Sequence, residues 1–477
     1  MDPLLVNAKK EEEEEEEQEE KKIRWEKLKK VALMAAPMVV VNISQYLIQA
    51  TSTMIVGHKS EISLAGIALA SSIANVTGFS LLFGLAGALE TLCGQAFGAR
   101  QYEKLGSYTF TSIISLLIIC FPISLLWIFV KNILLLFHQD PEISEIASVY
   151  CLWLIPALFG YAVLQSFIRY FQTQSLIFPM LFSSFTVLCF HIPVCWVLVY
   201  TLGLGTKGAA LSISISYWLN AGFLWFFMRH SQLCKGKRVL ISMEAFAHMR
   251  IFFSLAIPSA MMISLEWSAF EIMILISGVL PNSKLETSVI TMCLVTSSVH
   301  YNFVASIGAA TSTNVANEIG AGNSVAAKLS TSVAMIIAVC ESLVTSSSLL
   351  FASHVWGYAY SNEPEVISYA AEITPFLCMS MVMDSMSGAL NGVVRGSGKQ
   401  NIGAYVNIAA FYIVGIPTGL LFCFVFDFKV KGLWIGIISG CTTQTLTLLL
   451  ITTLIDWTSE VVKARDKRRL MDGPIVA

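Results

Sequence analysis

Residues 107–130 read SYTFTSIISLLIICFPISLLWIFV and contain no charged side chain. As an α-helix, a stretch of this length would be about 36 Å long, which exceeds the roughly 30 Å hydrocarbon thickness of a bilayer. Inside that layer the backbone amide and carbonyl groups have no water to bond, and a helix pairs them internally. The stretch therefore predicts a transmembrane helix.

Eleven further apolar segments follow the same pattern. Charged residues make up 13% of the chain and apolar residues 55%, whereas soluble domains contain about 25% charged residues. We therefore predict an all-α integral membrane protein and exclude an ordinary soluble enzyme. The twelve predicted transmembrane helices are 31–56, 63–92, 107–130, 146–168, 178–202, 207–228, 251–280, 287–310, 328–352, 366–394, 402–426 and 432–455.

The distribution of Lys and Arg predicts which membrane face the termini occupy. An even number of spans places both termini at one face. The two tails and the even-numbered connectors contain 24 of the 30 Lys and Arg residues, and the odd-numbered connectors contain 6. Because basic residues concentrate in cytoplasmic segments, we predict that both termini are cytoplasmic.

The second half of the chain repeats landmarks of the first half at offsets of 219 to 224 residues. The matched pairs are Pro37 with Pro258, Gly57 with Gly278, Gly98 with Gly320, Asp140 with Glu363, Pro156 with Pro375, Pro193 with Pro417 and Gly208 with Gly432. Each half then contains six spans, and an even number gives both halves the same orientation. Parallel repeats predict two six-helix lobes related by a pseudo-twofold axis along the membrane normal, with a substrate path between them.

The repeat and the composition divide the chain into five predicted regions. The run from Glu11 to Glu17 is typical of a solvated, disordered segment. The regions are a disordered acidic cytoplasmic tail at 1–30, an N-lobe at 31–228, a cytoplasmic linker at 229–250, a C-lobe at 251–455 and a cytoplasmic C-terminal tail at 456–477.

The two halves differ where acids could lie inside the membrane. At the local offsets, Gln45 falls opposite Glu266, and Gln165 falls opposite Asp384. A carboxyl group removed from water favours its protonated form, and acids inside a membrane are expensive to bury. We therefore predict that Glu266 and Asp384 bind and release protons, and that only the C-lobe does so.

Polar residues at helical spacing predict a cavity beside these acids. Asp384, Ser387, Gly388 and Asn391 lie on one stripe of a helix, and Ser298, Asn302 and Ser306 form another. Pro258, two turns before Glu266, is a candidate helix kink because proline cannot donate a backbone hydrogen bond. The candidate cavity-lining residues are Gln45, Gln165, Glu271, Asn302, Ser387, Asn391 and Asn407.

Other charged residues inside the predicted spans are weaker candidates. Glu271 projects about 140° away from Glu266 on a helix, so it could face a neighbouring helix instead. We interpret Glu90, near the cytoplasmic end of the second span, as a residue that caps or bridges the interface. Arg169, at the cytoplasmic end of the fourth span, is expected to snorkel or pair there. Glu341 and Glu372 are interpreted as structural or interfacial.

Several local motifs together resemble a known family. The first half contains LETLCGQAFGA at 89–99, and the second half contains NVANEIGAG at 314–322, VRGSGKQ at 394–400 and GAYVN at 403–407. These stretches resemble the multidrug and toxic compound extrusion (MATE) antiporters, and within them the plant DETOXIFICATION branch. The resemblance covers about residues 31–455, which is everything but the tails.

The resemblance implies a transporter that exports organic cations, other xenobiotics or metabolites against an inward flow of protons. In plant members the acids of the seventh and tenth spans are associated with proton coupling, and Glu266 and Asp384 match those positions. It also implies small-molecule substrates, the bilayer as surroundings, a monomer, no nucleic acid and no cofactor besides protons. The plasma membrane and the vacuolar membrane both remain open as locations.

Alternatives remain open at this stage. A sodium-coupled exporter of the same fold would share these residues. A major-facilitator carrier also has parallel halves, but its basic G-x-x-x-D-R-x-G-R-R loop is missing, with 98–106 in its place. A lipid-linked precursor flippase would have a more cationic cavity. A channel or an enzyme is disfavoured, since no catalytic or phosphate-binding motif is present and the eleven Cys predict free thiols with no metal site.

Overall fold

The structure, a computed structural model, describes residues 3–58, 60–239, 243–280 and 283–472. Regular structure throughout these ranges is helical. Within them, twelve helices are long and apolar enough to cross a membrane. The predicted all-α architecture with twelve spans is confirmed.

The spans are numbered here in chain order. The first half contains α1 Pro3–Gly57, α2 Ile62–Gly98, α3 Tyr102–Ile128, α4 Pro141–Thr173, α5 Ile177–Thr201 and α6 Thr206–His230. The second half contains α7 Glu244–Ser277, α8 Ser283–Ala321, α9 Ser324–Phe351, α10 Pro364–Ser397, α11 Gln400–Val425 and α12 Lys429–Thr453. A last helix, α13 Trp457–Asp472, follows the spans.

The N-terminal tail is helical where the sequence predicts disorder. α1 begins at Pro3 and runs without a break through the glutamate-rich stretch into the first span. Lys21 pairs with Glu17 one turn earlier, at 2.7 Å, and pairs at this spacing stabilise an exposed helix. The structure thus continues α1 as a helix from Pro3, where the sequence predicts a disordered tail at 1–30, and residues 1–2 lie outside the described residues.

The predicted linker 229–250 is mostly covered by helix ends. α6 ends at His230, a short 3₁₀ turn covers Gln232–Cys234, and α7 begins at Glu244. Residues 240–242 lie outside the described residues.

The fourth span of each half begins with a proline. The Asp140 carboxylate accepts hydrogen bonds from the backbone N–H groups of Glu142 and Ile143 at 2.8 and 3.1 Å, and Pro141 occupies the first helical turn. Proline is well suited to that position because the first N–H groups of a helix have no helical partner. In the second half, Pro364 likewise occupies the first turn of α10, but the side chain of Glu363 makes no capping hydrogen bond.

The fifth span of each half contains a π-helical turn at the same place. Val197–Thr201 begins four residues after Pro193, and Leu421–Val425 begins four residues after Pro417. Proline breaks the regular ladder of backbone hydrogen bonds, and π turns accommodate such breaks. The repeat seen in the sequence is therefore also a repeat of local helix geometry.

Buried apolar side chains form two principal clusters. The larger one includes Trp127, Tyr150 and Tyr217 and is drawn mostly from α1 to α6. The second includes Met273 and Trp434 and is drawn from α7 to α12. Each half of the chain thus encloses apolar side chains of its own. The larger cluster also takes in residues near the start of α7, where the two lobes touch.

The ends of α2 and α8 meet in a contact with twofold character. A Cβ added to Gly98 would lie 2.0 Å from the Asn317 carbonyl oxygen, and one added to Gly320 would lie 2.2 Å from the Gln95 carbonyl oxygen. At the 222-residue repeat offset, Gly98 corresponds to Gly320 and Gln95 to Asn317. Each contact is therefore the symmetry mate of the other, as expected around a pseudo-twofold axis. We call the membrane face with this contact and both termini the terminal face.

Replacing Gly98 by Ala should weaken this contact. The new methyl group would meet the backbone of Asn317, which cannot move aside as a flexible side chain could. Overpacking of this kind costs about 1–3 kcal/mol. We expect a lower Tm and a wider distribution of distances between spin labels on the two lobes at the terminal face. Gly222→Ala is the matched control, since nothing lies within 4 Å of a Cβ added at that position. Equal behaviour of the two variants would contradict the contact.

The C-terminal helix is attached to the C-lobe by apolar and ionic contacts. Trp457 of α13 is buried in a cluster with Val315, Ile319 and Val393. Glu460 pairs with Lys399 at 3.1 Å and with Lys463 at 2.9 Å. Partial burial favours the neutral form of Glu460, but these two lysines outweigh it and hold the pKa of the carboxyl below its ordinary value.

A carboxyl with a lowered pKa in the folded state stabilises it at pH values above the unfolded pKa, near 4.3 for Glu, and this contribution is lost as the pH falls through the folded value. We therefore expect α13 to stay attached at neutral pH and to loosen below about pH 4. Spin-label mobility on α13 measures this. Glu460→Gln should loosen the helix already at pH 7, and a pH-independent mobility in the native chain would contradict the ionic contribution.

Candidate functional site

Glu266 lies on α7 and faces a small cavity inside the C-lobe. Its side chain is buried, with 7% exposure. Tyr301 of α8 and both Asn391 and Arg395 of α10 line the same cavity, together with Met262 one turn earlier on α7. The cavity therefore joins a predicted proton-binding acid, a predicted lining residue and a basic side chain.

A chain of amide hydrogen bonds holds Glu266 in place. Gln444 of α12 donates to Glu266 Oε2 at 3.3 Å and to Asn407 Oδ1 at 2.8 Å. Asn407 of α11 in turn donates to the Met262 backbone carbonyl at 2.7 Å. Gln444 donates both of its amide hydrogens in these two bonds, and Glu266 Oε2 accepts one of them.

Asp384 lies on α10, one turn before the cavity-lining Gly388. Its side chain is 16% exposed, and Oδ2 lies 3.8 Å from His300 Nδ1. Among the described residues, Asp384 is not part of the lining that contains Glu266. The two acids thus belong to one lobe but have different immediate neighbours.

The other predicted lining residues have various surroundings. Asn391 lines the cavity with Glu266, and Asn407 is buried in the amide chain behind it. Ser387 donates to the Asp384 backbone carbonyl at 2.9 Å, and Asn302 donates to the Ser298 carbonyl at 2.9 Å. Glu271 accepts from Ser72 of the N-lobe at 2.6 Å, so it faces a neighbouring helix.

The two N-lobe amides that correspond to the acids contact each other. Gln165 of α4 donates to Gln45 Oε1 of α1 at 3.2 Å. Neither amide has a proton to gain or lose near neutral pH. Their place along a substrate path between the lobes stays a prediction.

Pro258 lies inside α7 next to a close contact between the lobes. A Cβ added to Gly87 of α2 would lie 2.4 Å from Ser259 Oγ, and one added to Gly84 would lie 2.5 Å from Ala260 Cα. Small residues allow helices in membranes to approach closely. The kink at Pro258 stays a prediction, and its neighbours carry the contact of α7 with α2.

A buried cluster of three charges joins the lobes near the terminal face, and we call it the latch. Glu90 of α2 pairs with Arg169 of α4 at 2.8 Å and with Arg395 of α10 at 2.9 Å. The Glu90 side chain is only 1% exposed. Arg169 also donates to Gln172 at 2.6 Å and lies over the ring of Phe83 at 4.5 Å. Glu90 thus binds one arginine from each lobe.

Further hydrogen bonds close the same face. Gln172 donates to Thr313 at 3.3 Å, and Asn317 donates to the Thr173 carbonyl at 3.2 Å. Gln400 of α11 donates to Thr91 of α2 at 2.6 Å. All of these bonds cross from one lobe to the other, so the structure has the lobes joined at the terminal face.

Sequence reasoning missed two side chains of this region. The sequence patterns do not single out Gln444, although an amide inside an apolar span is itself a signal, because its burial requires hydrogen-bond partners. In the sequence, Arg395 lies just after the tenth predicted span, in a connector, and no role in the site is predicted for it. The structure places it within α10, where it pairs with Glu90. The pair of Glu90 with Arg169 was not predicted from the sequence, which places each residue separately near the cytoplasmic end of its own span.

Replacing Glu90 by Gln should open the terminal face. The change leaves two buried arginines without a counter-charge, and breaking a buried pair from one side costs about 3–5 kcal/mol. We expect faster labelling by a cysteine reagent of a Cys introduced between the lobes at this face. Glu372→Gln is the control, because the Glu372 pair with Lys431 is exposed and such pairs contribute only about 0–1 kcal/mol. Unchanged labelling of the Glu90 variant would contradict the latch.

A family model described as MatE matches residues 37–197 and matches again over residues 258–421. The two matches begin 221 residues apart, which is the offset of the repeat. The chain belongs to the MatE family. It is therefore a multi-pass membrane transporter of the multidrug and toxic compound efflux type.

Individual relatives are similar over nearly the whole chain. Protein DETOXIFICATION 9 of Arabidopsis thaliana is 62% identical over 465 residues, covering 98% of this chain and 96% of that protein. The crystal structure of the eukaryotic MATE transporter AtDTX14 superposes with a TM-score of 0.90 at 49% identity, covering 93% of this chain and 99% of that one.

A more distant solved structure shows the fold alone. An outward-facing multidrug resistance MATE transporter superposes with a TM-score of 0.82 at 15% identity, covering 92% of this chain and 97% of that one. The described residues of the present chain contain no group of three or more His, Cys, Asp or Glu side chains that could hold a metal ion.

Proposed function

We propose that this MATE transporter is a proton-coupled antiporter that exports organic cations, xenobiotics or secondary metabolites by alternating access, with protons bound in the C-lobe at Glu266 and Asp384. The observation that carries the proposal is that Glu266 and Arg395 line one cavity, while Arg395 pairs with Glu90 of the N-lobe. A proton site in one lobe is thereby connected to the contact that joins both lobes.

The charge on Glu266 would influence this connection. An ionised Glu266 attracts the Arg395 guanidinium and competes with Glu90 for it, whereas a protonated Glu266 does not. A ligand shifts a conformational equilibrium only through its different affinity for the two states. Proton binding at Glu266 therefore biases the latch, which is what coupling requires.

The driving force is sufficient for concentrative export. One pH unit supplies about 1.4 kcal/mol per proton, and 100 mV of membrane potential adds about 2.3 kcal/mol per charge moved. One proton per cycle could therefore support a gradient of tenfold or more for a neutral substrate.

Aromatic residues beside the cavity favour flat or cationic substrates. Tyr301 lines the cavity, and Trp267 packs edge-on against it with ring centroids 5.7 Å apart. Aromatic faces attract organic cations through their quadrupole. We place the protein in the plasma membrane or the vacuolar membrane, with both termini in the cytoplasm.

Replacing Glu266 by Gln and, separately, Asp384 by Asn should reduce pH-driven transport of a fluorescent cation in proteoliposomes at least tenfold. Each change removes a group that can carry a proton and keeps its shape. Correct insertion is checked by size-exclusion chromatography. Glu372→Gln, on the same helix as Asp384 but at the exposed Lys431 pair, should stay within about twofold of the native rate.

Two results would decide against the proposal. Full transport by both acid variants would remove these acids from the mechanism. Transport driven by a sodium gradient at equal pH on both sides, with no response to a pH gradient, would instead favour the sodium-coupled alternative.

A further inference from the structure

His300 of α8 lies between two carboxyl groups of the C-lobe. Its Nε2 is 3.4 Å from Glu341 Oε1 of α9, and its Nδ1 is 3.8 Å from Asp384 Oδ2 of α10. The His300 side chain is 3% exposed, and Glu341 and Asp384 are 14% and 16% exposed. Two acids on different helices therefore meet the two nitrogens of one buried imidazole.

The hydrogen-bond directions determine which nitrogen carries a proton. The Ser385 hydroxyl donates to Glu341 Oε2 at 2.7 Å and lies 3.2 Å from His300 Nε2. A hydroxyl has one hydrogen, and Ser385 has given it to Glu341. It can only accept from the imidazole, so His300 Nε2 carries a hydrogen.

The opposite nitrogen then requires one more proton. If Nδ1 has only its lone pair and Asp384 is ionised, two acceptors face each other in a buried place, which is unfavourable. A proton must lie on Nδ1 or on Asp384. A proton on either atom relieves this repulsion, although at 3.8 Å the two atoms are not in direct hydrogen-bond contact. His300 Nδ1 and Glu341 Oε1 are buried and have no hydrogen-bond partner within the described part of the chain, so each is free to take part in a proton transfer.

We propose that His300 passes protons between Asp384 and Glu341, so that the proton site at Asp384 comprises three groups. This inference rests on the proposed function, in which Asp384 binds coupling protons. It also replaces the interpretation of Glu341 as structural with one in which it accepts protons.

The transfer is balanced in protons and charge. The Asp384 O–H bond breaks as the proton moves to His300 Nδ1, and the Nε2–H bond breaks as that proton moves to Glu341 Oε1. Asp384 ends ionised, His300 ends neutral with its hydrogen on Nδ1, and Glu341 ends protonated. The net result is one proton moved across the ring, with the total charge of the three groups unchanged.

Other ionisable groups around this cluster come from neighbouring helices. Glu341 and Asp384 face His300 from α9 and α10. Glu266 of α7 and Cys441 of α12 are close enough to Asp384 to interact with it electrostatically. Tyr301, the next residue along α8, interacts with Glu266, with Asp384 and with Arg395. With one proton on Nδ1 or on Asp384 the three groups carry a net charge of −1, and a second proton makes them neutral.

A buried histidine of the N-lobe provides a contrast. His191 of α5 has Nε2 3.0 Å from Ser52 Oγ and Nδ1 2.8 Å from Ser216 Oγ. Hydroxyl groups can donate or accept, so a neutral His191 is satisfied without a further proton. The two buried histidines thus differ in whether carboxyl groups flank them.

The test uses the full-length protein in proteoliposomes, with ethidium as the transported cation. Its initial uptake rate is measured between pH 5.5 and 8.5, and protons moved per ethidium are counted with a pH dye. In His300→Gln, the glutamine amide can still donate a hydrogen bond close to the position of His300 Nε2, but it cannot take up a proton. In this variant we expect fewer protons per ethidium and a pH midpoint displaced by about one unit, because Asp384 no longer titrates together with His300.

Glu341→Gln is the second variant, because it removes the acceptor at Nε2 and leaves the imidazole in place. It should also lower the number of protons per ethidium, and it carries the test if His300→Gln fails to insert. His191→Gln is the matched control, and its proton count and pH midpoint should equal those of the native protein.

The outcomes separate this inference from the proposed function. If native uptake does not respond to a pH gradient, the proposed function fails. If native uptake responds but His300→Gln and Glu341→Gln keep the native midpoint and proton count, only the role of His300 is overturned. An equal shift in His191→Gln would assign the effect to general destabilisation and would also overturn it.

Discussion

The ion pairs of Glu90 with Arg169 and Arg395 are the interaction on which the arrangement of the lobes depends. Charges cannot be left unpaired in a buried site, because the lost hydration is not replaced. Since one arginine comes from each lobe, Glu90 is fully paired only while the lobes are together. The close backbone contacts of Gly98 and Gly320 lie at the same face and need the same closure. Electrostatic pairing and steric fit thus favour one relative position of the lobes.

The C-lobe differs from the N-lobe in what its polar groups can do. Gln165 donates to Gln45 as one neutral amide to another, and His191 is flanked by hydroxyl groups. In the C-lobe, Glu266 meets Gln444 and shares a cavity with Arg395, while Asp384 and Glu341 flank His300. The two halves of the duplicated scaffold therefore differ in their polar groups: amides and hydroxyl groups meet in the N-lobe, whereas carboxyl groups meet an amide and an imidazole in the C-lobe. An alternating-access antiporter uses such a difference, because only one of its lobes needs to sense the coupling ion.

Much of the fold could be predicted because its signals are local. Twelve apolar segments, the recurring prolines and glycines, and the positions of Glu266 and Asp384 are all readable along the chain. The helical N-terminal tail was not, since the weak ion pairs along it compete closely with disorder. Gln444 and His300 were missed because their partners lie on other helices. An amide or imidazole in an apolar run indicates that a polar partner exists, but the sequence does not show which residue that partner is. Glu341 was interpreted as structural for the same reason.

The sequence by itself determined the number of spans, the duplication, and the replacement of Gln45 and Gln165 by acids at the matched positions of the second half. These properties follow from hydrophobic length, repeat spacing and residue type, which depend on no distant contact. Only the tertiary structure decided that Arg395 connects the Glu266 cavity to Glu90, and that Asp384 faces His300 outside that cavity. Those relations depend on the rotation of each helix about its axis and on which helices become neighbours. Both are set by side-chain packing between residues hundreds of positions apart in the chain.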